Sequence, residues 1–599
     1  MRDLHPIVQP SLALVIMSDL FGASGNPADI PPQNFQSSAL DPHTGRTSVT
    51  NPVDIDSRRD QIFPVLTIAE IASIMRFGVV RHWHPGEIIF HAGKASGGMH
   101  VILSGWVVIS RHDGLNRQIT VAHRGPGEFT AEISQLSDRP SLVEGTAVGE
   151  VSTLQISSLM LRRLIINNAN LGERIMRSLI LRRMNLLDTG ECGPALVGTA
   201  GTPDMVRLQN FLTGNGHPHT VLDPAVDLAA AALLQVYAPA PQHLPLVIYP
   251  DGGVGFNPSE SALARNLGML PQLKNSHVYD VLIVGAGPAG LAAAAYAASE
   301  GLSVLVLEQR AFGGQAGASS RIENYLGFPT GISGQELAGR AYVQAQKFGA
   351  EIAVPLSVVG LLCDTFPRRA VLNDGSYVQA NTVVIASGAR YRRLGLAGSE
   401  RFEGRGIHYW ASPIEAKLCF EQEVALVGGG NSAGQAAVFL ASHAFKVHMV
   451  VRGPGLTESM PSYLIERIAM TENIDLHTHS TVSALDGTEE GLAAVSLLRH
   501  GCERIIPASR LFLFIGAEPQ TDWLRNCGLT LDRKGFVLTG QATKASARNT
   551  SGLATSVPGI FAIGDVRAGS VKRVASAVGE GAAVVAQIHA YLSNSDGVA

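Results

Sequence analysis

Cysteine is scarce in this chain: five residues in 599, at Cys192, Cys363, Cys419, Cys502 and Cys527, with no CxxC and no two closer than 25 residues. That spacing offers neither the thiolate pairs of a zinc site nor a disulfide scaffold. Each thiol therefore reads as a small buried hydrophobe, and no metal site is expected. Charge is thin as well, at 16% of residues with a formal net charge of −4. This leaves no basic excess to hold nucleic acid or an anionic membrane. No apolar run reaches the roughly 18 residues that span a bilayer, and the greasy patch Leu12 to Met17 lacks a charged flank and a cleavage site. A cytoplasmic location is expected. The length predicts several domains rather than one core.

Glycine, by contrast, is abundant, with 64 residues, and it clusters where chemistry is expected. Residues 278–309 open with a buried strand pattern, Val281 to Val284, and turn through Gly285-Ala286-Gly287-Pro288-Ala289-Gly290. An Ala-rich helix follows, then a second strand, Val304 to Leu307, closed by Glu308. Gly285 suits a tight turn, Gly287 lets a pyrophosphate approach the backbone, and Gly290 lets the helix sit close to the sheet. The helix N-terminus offers free N–H groups to phosphate. Glu308, 18 residues beyond Gly290, stands where an acid accepts hydrogen bonds from ribose hydroxyls. The turn Ala386-Ser387-Gly388-Ala389 ends another strand and suits a nucleotide edge or a domain crossover.

A second fingerprint occupies Val424 to Ala433, with Gly428 and Gly430 in the turn and close-approach positions and Asn431 and Ser432 opening the helix. Its following strand, Val447 to Val451, ends in Arg452 instead of an acid. An arginine there meets the 2′-phosphate of NADP, so NADPH is favoured and NADH remains open.

The N-terminal half reads differently. Residues 1–54 lack periodicity and read as a mobile leader. From about 60 to 157, short apolar strands alternate with glycine turns, and 159–187 then repeats apolar residues at helical spacing. HPGEIIFHAG (84–93), LSGWVVI (103–109) and GPGEFTAEISQLSDRPS (125–141) resemble the cyclic-nucleotide-binding module of catabolite-activator-type proteins. That resemblance implies ribose contact by Glu132. The family's phosphate-pairing arginine position holds Ser141 here, and Arg139 substitutes only if the loop is reshaped. A serine hydrogen-bonds but cannot neutralise a phosphate. Residues 195–272 resemble a thioredoxin/glutaredoxin-type fold with Pro245 at its cis-proline position. Where the CxxC belongs stands Thr199-Ala200-Gly201-Thr202-Pro203, so no thiolate is available there.

Phe312-Gly313-Gly314-Gln315, Glu323-Asn324-Tyr325-Leu326-Gly327-Phe328 and Gly559-Ile560-Phe561-Ala562-Ile563-Gly564-Asp565 complete a pattern in which residues 278–593 resemble the thioredoxin reductase family. The resemblance implies that Gly314, Gln315, Asn324 and Asp565 contact FAD, with Arg573, Val574 and Ala575 bordering the flavin ring. It also implies a CxxC before the second fingerprint. Trp410 and Pro413 stand at the approximate cysteine positions. Trp410 either packs against the flavin or is a core aromatic, and Glu415 lies near an acid that in the family protonates the departing thiolate.

The expected fold class is multidomain α/β: an N-terminal β-roll with a helix, a small thioredoxin-like αβ domain, then two Rossmann-like FAD and NAD(P) domains. The expected boundaries are a leader at 1–54, a nucleotide-binding-like domain at 55–188, and a thioredoxin-like domain at 195–272. The FAD domain takes 278–394 and 520–599 around an NAD(P)H domain at 400–515. The expected function is hydride transfer from NADPH to FAD, with electrons passing directly to an unidentified acceptor. A cyclic-nucleotide-responsive redox regulator and a thioredoxin-disulfide reductase are the alternatives. By family analogy the chain is expected to be a homodimer.

Overall fold

Short strands separated by positive-φ glycines (Gly86, Gly97 and Gly127) fold the N-terminal region into an antiparallel sheet. The computed structural model describes residues 55–599 except 113–117, 132, 190–192, 272, 274–275, 320, 404, 412, 489–490, 544–551 and 596–599. The expected leader and Glu132 thus lie outside the described residues. The chain divides into two compact units, Met1–Cys192 with Pro250–Gly252, and Gly193–Tyr249 with Gly253–Ala599.

In the first unit, α1 (Ile55–Ile62) and α2 (Ile68–Ile74) precede β1 (Val79–Trp83), β2 (Ile88–Phe90), β3 (Met99–His112), β4 (Gln118–Arg124), β5 (Phe129–Thr130) and β6 (Glu144–Ile156). The sheet order is β1-β6-β3-β4, with β2 on β6 and β5 on β3. The helical pattern over 159–187 predicts one helix, but the chain makes two, α3 (Ser158–Asn167) and α4 (Ala169–Thr189). Asn168 leaves helical geometry at φ −125° and ψ 89°, and its side-chain oxygen accepts the Leu171 N–H at 3.3 Å to start the second helix. Arg182 then ties α4 to the roll. Its guanidinium donates to the carbonyls of Ile62, Phe129 and Ala131 at 2.8–3.1 Å, and burial lowers its pKa to about 9.

The second unit begins with β7 (Ala195–Val197), α5 (Pro203–Gly214), β8 (Thr220–Leu222), α6 (Leu228–Tyr237), β9 (Leu246–Ile248), β10 (Val254–Phe256) and α7 (Glu260–Asn266). Strand order is β10-β9-β7-β8; β7 runs parallel to β8 and antiparallel to β9. The Leu244–Pro245 bond ahead of β9 is cis.

A βαβ unit follows: β11 (Val278–Val284), α8 (Pro288–Ser299) and β12 (Val304–Leu307). Next come α9 (Gly314–Gly317), α10 (Gly334–Phe348), β13 (Glu351–Ala353), β14 (Val358–Leu362), β15 (Arg368–Leu372), β16 (Tyr377–Ile385) and β17 (Ala389–Tyr391). The chain continues through β18 (Ile407–His408), α11 (Pro413–Leu418), β19 (Glu423–Val427), α12 (Asn431–Ala441), β20 (Lys446–Val450), α13 (Ser462–Ala469) and β21 (Ile474–His477). Three antiparallel strands, β22 (Ser480–Thr488), β23 (Gly491–Arg499) and β24 (Cys502–Pro507), lead to β25 (Arg510–Leu513) and β26 (Ala517–Pro519). Finally β27 (Ile560–Ala562) and α14 (Val574–Ser595) return to the first sheet.

Two sheets result. One has the order β13-β12-β11-β16-β15-β14 with β27 on β16, and the other β18-β25-β19-β20-β21. The continuous apolar runs of β11, β12 and β16 are buried on both faces, as parallel strands require. The β17–β26 pair joins the two crossings between the sheets.

One core residue makes this unit sensitive to acid. His408 is buried against the Phe512 ring at 5.2 Å, its Nε2 has no hydrogen-bond partner, and burial together with Arg510 lowers its pKa to about 3. Between that value and the unfolded 6.5, the unfolded chain binds the proton and the folded one does not. Stability is therefore lost as pH falls through that window, by up to about 1.4 kcal/mol per pH unit. His408→Leu should flatten the pH dependence of thermal unfolding below pH 6.5, and an unchanged slope would refute this assignment.

Candidate functional site

The first cradle forms where β11, β12, β16 and β27 end. Gly285 takes φ +110°, and a Cβ there would lie 2.3 Å from the Ala386 carbonyl oxygen. A Cβ on Gly290 would lie 1.9 Å from the Gly285 carbonyl oxygen, so the first turn of α8 closes directly onto the loop. At Gly287, the N-cap of α8, the nearest atom to a Cβ is the Gly314 Cα at 4.0 Å. Gly287 therefore faces open space, as a site for pyrophosphate requires. Pro288 occupies the first helical position, where a missing N–H costs nothing, and Ala289 lies buried behind it.

Glu308 fixes this loop. Its carboxylate accepts the Ala286 N–H at 2.8 Å and the Arg310 N–H at 3.2 Å. Burial raises its pKa, and these backbone donors oppose that rise. The Gly313 N–H donates to the Ala286 carbonyl at 2.7 Å, which brings Gly314 (φ +53°) over Gly287. Gln315 donates to the Ala389 carbonyl, and the Gly388 carbonyl accepts from the Gln520 N–H at 3.2 Å. Asn324 stands exposed on the loop before α10.

On the other side, Gly564 (φ +69°) sits against Ala289, and its N–H donates to Glu580 at 2.6 Å. Asp565 follows, its carboxyl raised by burial and partly offset by Lys572. Lys572 in turn donates to the Asp565 carbonyl. Arg573 immediately precedes α14, which Val574 and Ala575 open and which lies against α8 through Gly581 and Ala292. Gly285, Gly287, Gly290, Glu308, Gly314 and the Gly564 turn before Asp565 thus meet around the N-terminus of α8. Glu580, which also pairs with Arg567, was missed by sequence reasoning. It has no motif around it, only a fold that brings α14 to the Gly564 turn.

The second cradle repeats this logic. Gly428 has φ +147°, and a Cβ there would lie 2.6 Å from the Phe514 carbonyl oxygen. Gly430 caps α12 with nothing within 4 Å of its Cβ position. Asn431 keeps a buried side-chain oxygen without a partner, whereas Ser432 and Arg452 are exposed at the rim. An open glycine position, an orphaned polar atom and a free arginine at the end of β20 fit a phosphorylated dinucleotide.

At the expected disulfide position, the Trp410 indole N–H donates to the Glu415 carboxylate at 3.0 Å, and the Asn210 amide from α5 donates to the same oxygen at 3.2 Å. The Arg310 guanidinium lies 5.5 Å from the Trp410 ring centre. Glu415 is 1% exposed. Cys419 donates to the Glu415 carbonyl at 3.1 Å, and burial pushes its thiol pKa up to about 12. Asn210, Arg310 and the Arg467–Glu323 pair at 3.0 Å carry no local signal and were not foreseen. Cys363 and Cys527, read as isolated from their spacing, lie in one buried cluster, where the neighbouring thiol and burial raise the Cys363 pKa.

In the first unit, Ser141 is 2% exposed and its hydroxyl donates to the Val143 carbonyl at 2.8 Å. Asp138, next to Arg139, takes φ +56°.

Two dinucleotide cradles in one α/β unit define an FAD-dependent NAD(P)H oxidoreductase. The chain belongs to the pyridine nucleotide-disulphide oxidoreductase family, whose model matches residues 279–581. Residues 80–168 match the cyclic nucleotide-binding domain model. A thioredoxin reductase of Listeria monocytogenes is 34% identical over 306 residues, covering 51% of this chain and 91% of that protein. A thioredoxin reductase of Bacillus subtilis is 31% identical, covering 53% and 96%. The solved thioredoxin reductase of Lactococcus lactis aligns at 28% identity and TM-score 0.48, over 53% of this chain and 99% of that one. Among the described residues no helix is long and apolar enough to cross a membrane.

The two key glycines of the first cradle should respond differently. Gly290→Ala places a methyl group on backbone and should destabilise the unit by about 2–4 kcal/mol, read as a lower thermal midpoint. Gly287→Ala enters open space, so the apoprotein should keep its midpoint while FAD binds at least roughly tenfold more weakly by fluorescence titration. Equal destabilisation by both would refute the distinction.

Proposed function

We propose that this enzyme takes a hydride from NADPH and passes electrons from its flavin directly to a diffusible or protein acceptor, without a dithiol relay. The observation that carries this reading is the corner at Trp410. The two expected thiol positions hold Trp410 and Pro413, and the one nearby thiol, Cys419, is buried with its pKa raised to about 12. No thiolate is available there at neutral pH. Glu415 already accepts from Trp410 and Asn210, which argues for a positioning role over proton donation. FAD, when bound, supplies the hydride chemistry. The chain orients it through Gly287, Gly314, Glu308 and Asp565, and orients the nicotinamide dinucleotide through Gly430, Asn431, Ser432 and Arg452. A cytoplasmic homodimer is the form we expect.

Thioredoxin-disulfide reduction is the second reading, supported by the names of the similar proteins. A cyclic-nucleotide-responsive regulator is the third. It is supported by the match at 80–168 and opposed by the engagement of the Ser141 hydroxyl within its own loop.

Purified protein should be yellow, and anaerobic NADPH should bleach it within one turnover. Reoxidation should follow addition of quinone, ferredoxin-type protein or oxygen, and not of thioredoxin disulfide. Sustained thioredoxin turnover would overturn the first reading. Heat on titration with cyclic AMP or cyclic GMP would favour the third.

Arg452→Ala should raise the KM for NADPH by roughly tenfold or more and leave that for NADH nearly unchanged, since a charge-assisted phosphate contact contributes about 1.5–3 kcal/mol. Equal effects on both nucleotides would remove Arg452 from the 2′-phosphate site.

A further inference from the structure

The nicotinamide sheet carries a polar cluster on one face, running from Glu423 at the start of β19 to His477 at the end of β21. Parallel register sets Glu423 beside Lys446, His448 beside Asp475, and Val450 beside His477. Residues two apart on a strand share a face, so Glu423, Lys446, His448, Asp475 and His477 all lie on one side of β19, β20 and β21. His448 is 4% exposed. Its Nε2 lies 2.8 Å from the Glu423 carboxylate, which holds the proton on that nitrogen. Its Nδ1 lone pair is thereby turned toward the His477 Nε2 at 3.1 Å and the Asp475 Oδ2 at 3.9 Å. The ligating atoms of His448, Asp475 and His477 all lie within 4.8 Å of one another.

We propose that His448 Nδ1, His477 Nε2 and Asp475 Oδ2 form a binding site for a late first-row divalent cation such as Zn²⁺, with Glu423 orienting His448 from behind. Two imidazoles and a carboxylate are an accepted zinc donor set, and tetrahedral bonds of 2.0–2.1 Å place ligand atoms roughly 3.3 Å apart. The present separations need only a small inward shift of His477 and Asp475, both at the partly exposed edge of the sheet. A carboxylate on the second nitrogen of a ligating histidine fixes its tautomer and raises its basicity. The fourth position would be left to water.

The charges around the cluster set the competition. Lys446 Nζ pairs with Asp475 Oδ2 at 3.1 Å and must swing away when the metal enters, which its partly exposed side chain permits. Arg499 and Arg504 also face His477 and oppose a cation. Affinity should therefore be moderate, and it should fall as pH drops and the imidazoles protonate.

The test uses the untagged, full-length, FAD-loaded protein, treated with chelator and dialysed against Zn²⁺, with metal counted by atomic absorption. One equivalent should bind to the parent chain and be absent from His477→Ala and Asp475→Asn, whose flavin spectra report intact folding. Lys446→Ala should bind Zn²⁺ roughly fivefold more tightly, since a surface ion pair contributes up to about 1 kcal/mol. Co²⁺ in place of Zn²⁺ should give tetrahedral absorption between about 550 and 650 nm, beyond the oxidised flavin bands, and His477→Ala should abolish it. Zn²⁺ binding that survives both ligand substitutions, or that Lys446→Ala fails to tighten, would overturn the site.

Discussion

The carboxylate of Glu308 holding the Ala286 N–H is the contact on which the flavoprotein half depends. It joins the end of one strand to the turn after its neighbour, and so fixes the direction in which α8 points its N-terminus. Once that turn is fixed, Gly313 bonds to Ala286, Gly314 settles over Gly287, and Gly564 settles against Ala289. A buried carboxylate without such donors would be costly. Here the backbone supplies them, and the same geometry leaves the ligand-facing surface made of main chain. The cofactor cradle and the sheet edge are held by one set of hydrogen bonds.

Repetition of this device in the second sheet explains how one chain addresses two dinucleotides. Gly428 and Gly430 stand as Gly285 and Gly287 do, but the polar residue at the end of the next strand differs. Glu308 turns inward to the backbone, whereas Arg452 remains at the surface. The two strand ends thus carry opposite charge, one spent on the backbone of its own turn and one facing solvent.

Local features were legible in the sequence and non-local ones were not. Strand, glycine turn, helix and acid at 278–308 follow from periodicity and from the steric needs of a few positions, so their places could be read directly. The single helix expected over 159–187 failed at Asn168, because an apolar repeat continues across a break that one side chain can cap. Trp410 and Glu415 were recognisable only as departures from a pattern. That Asn210 would reach Glu415, or Cys363 reach Cys527, depends on how distant segments meet, and no spacing along the chain encodes it.

Residues 195–272 hold no cysteine, yet α5 lies against the nicotinamide half through Asn210, and Gln335 donates to the Thr213 carbonyl at 2.9 Å. Asn215 likewise donates to the Arg310 carbonyl at 2.9 Å. This segment belongs to the same compact unit as the two dinucleotide sheets. A cut at residue 278, where the first fingerprint begins, would therefore strip the Asn210 donor from the buried Glu415 carboxylate and the hydrogen bonds that join this segment to Gln335 and Arg310. Removing residues 193–277 would thus alter the flavoprotein unit itself and not trim a separate appendage.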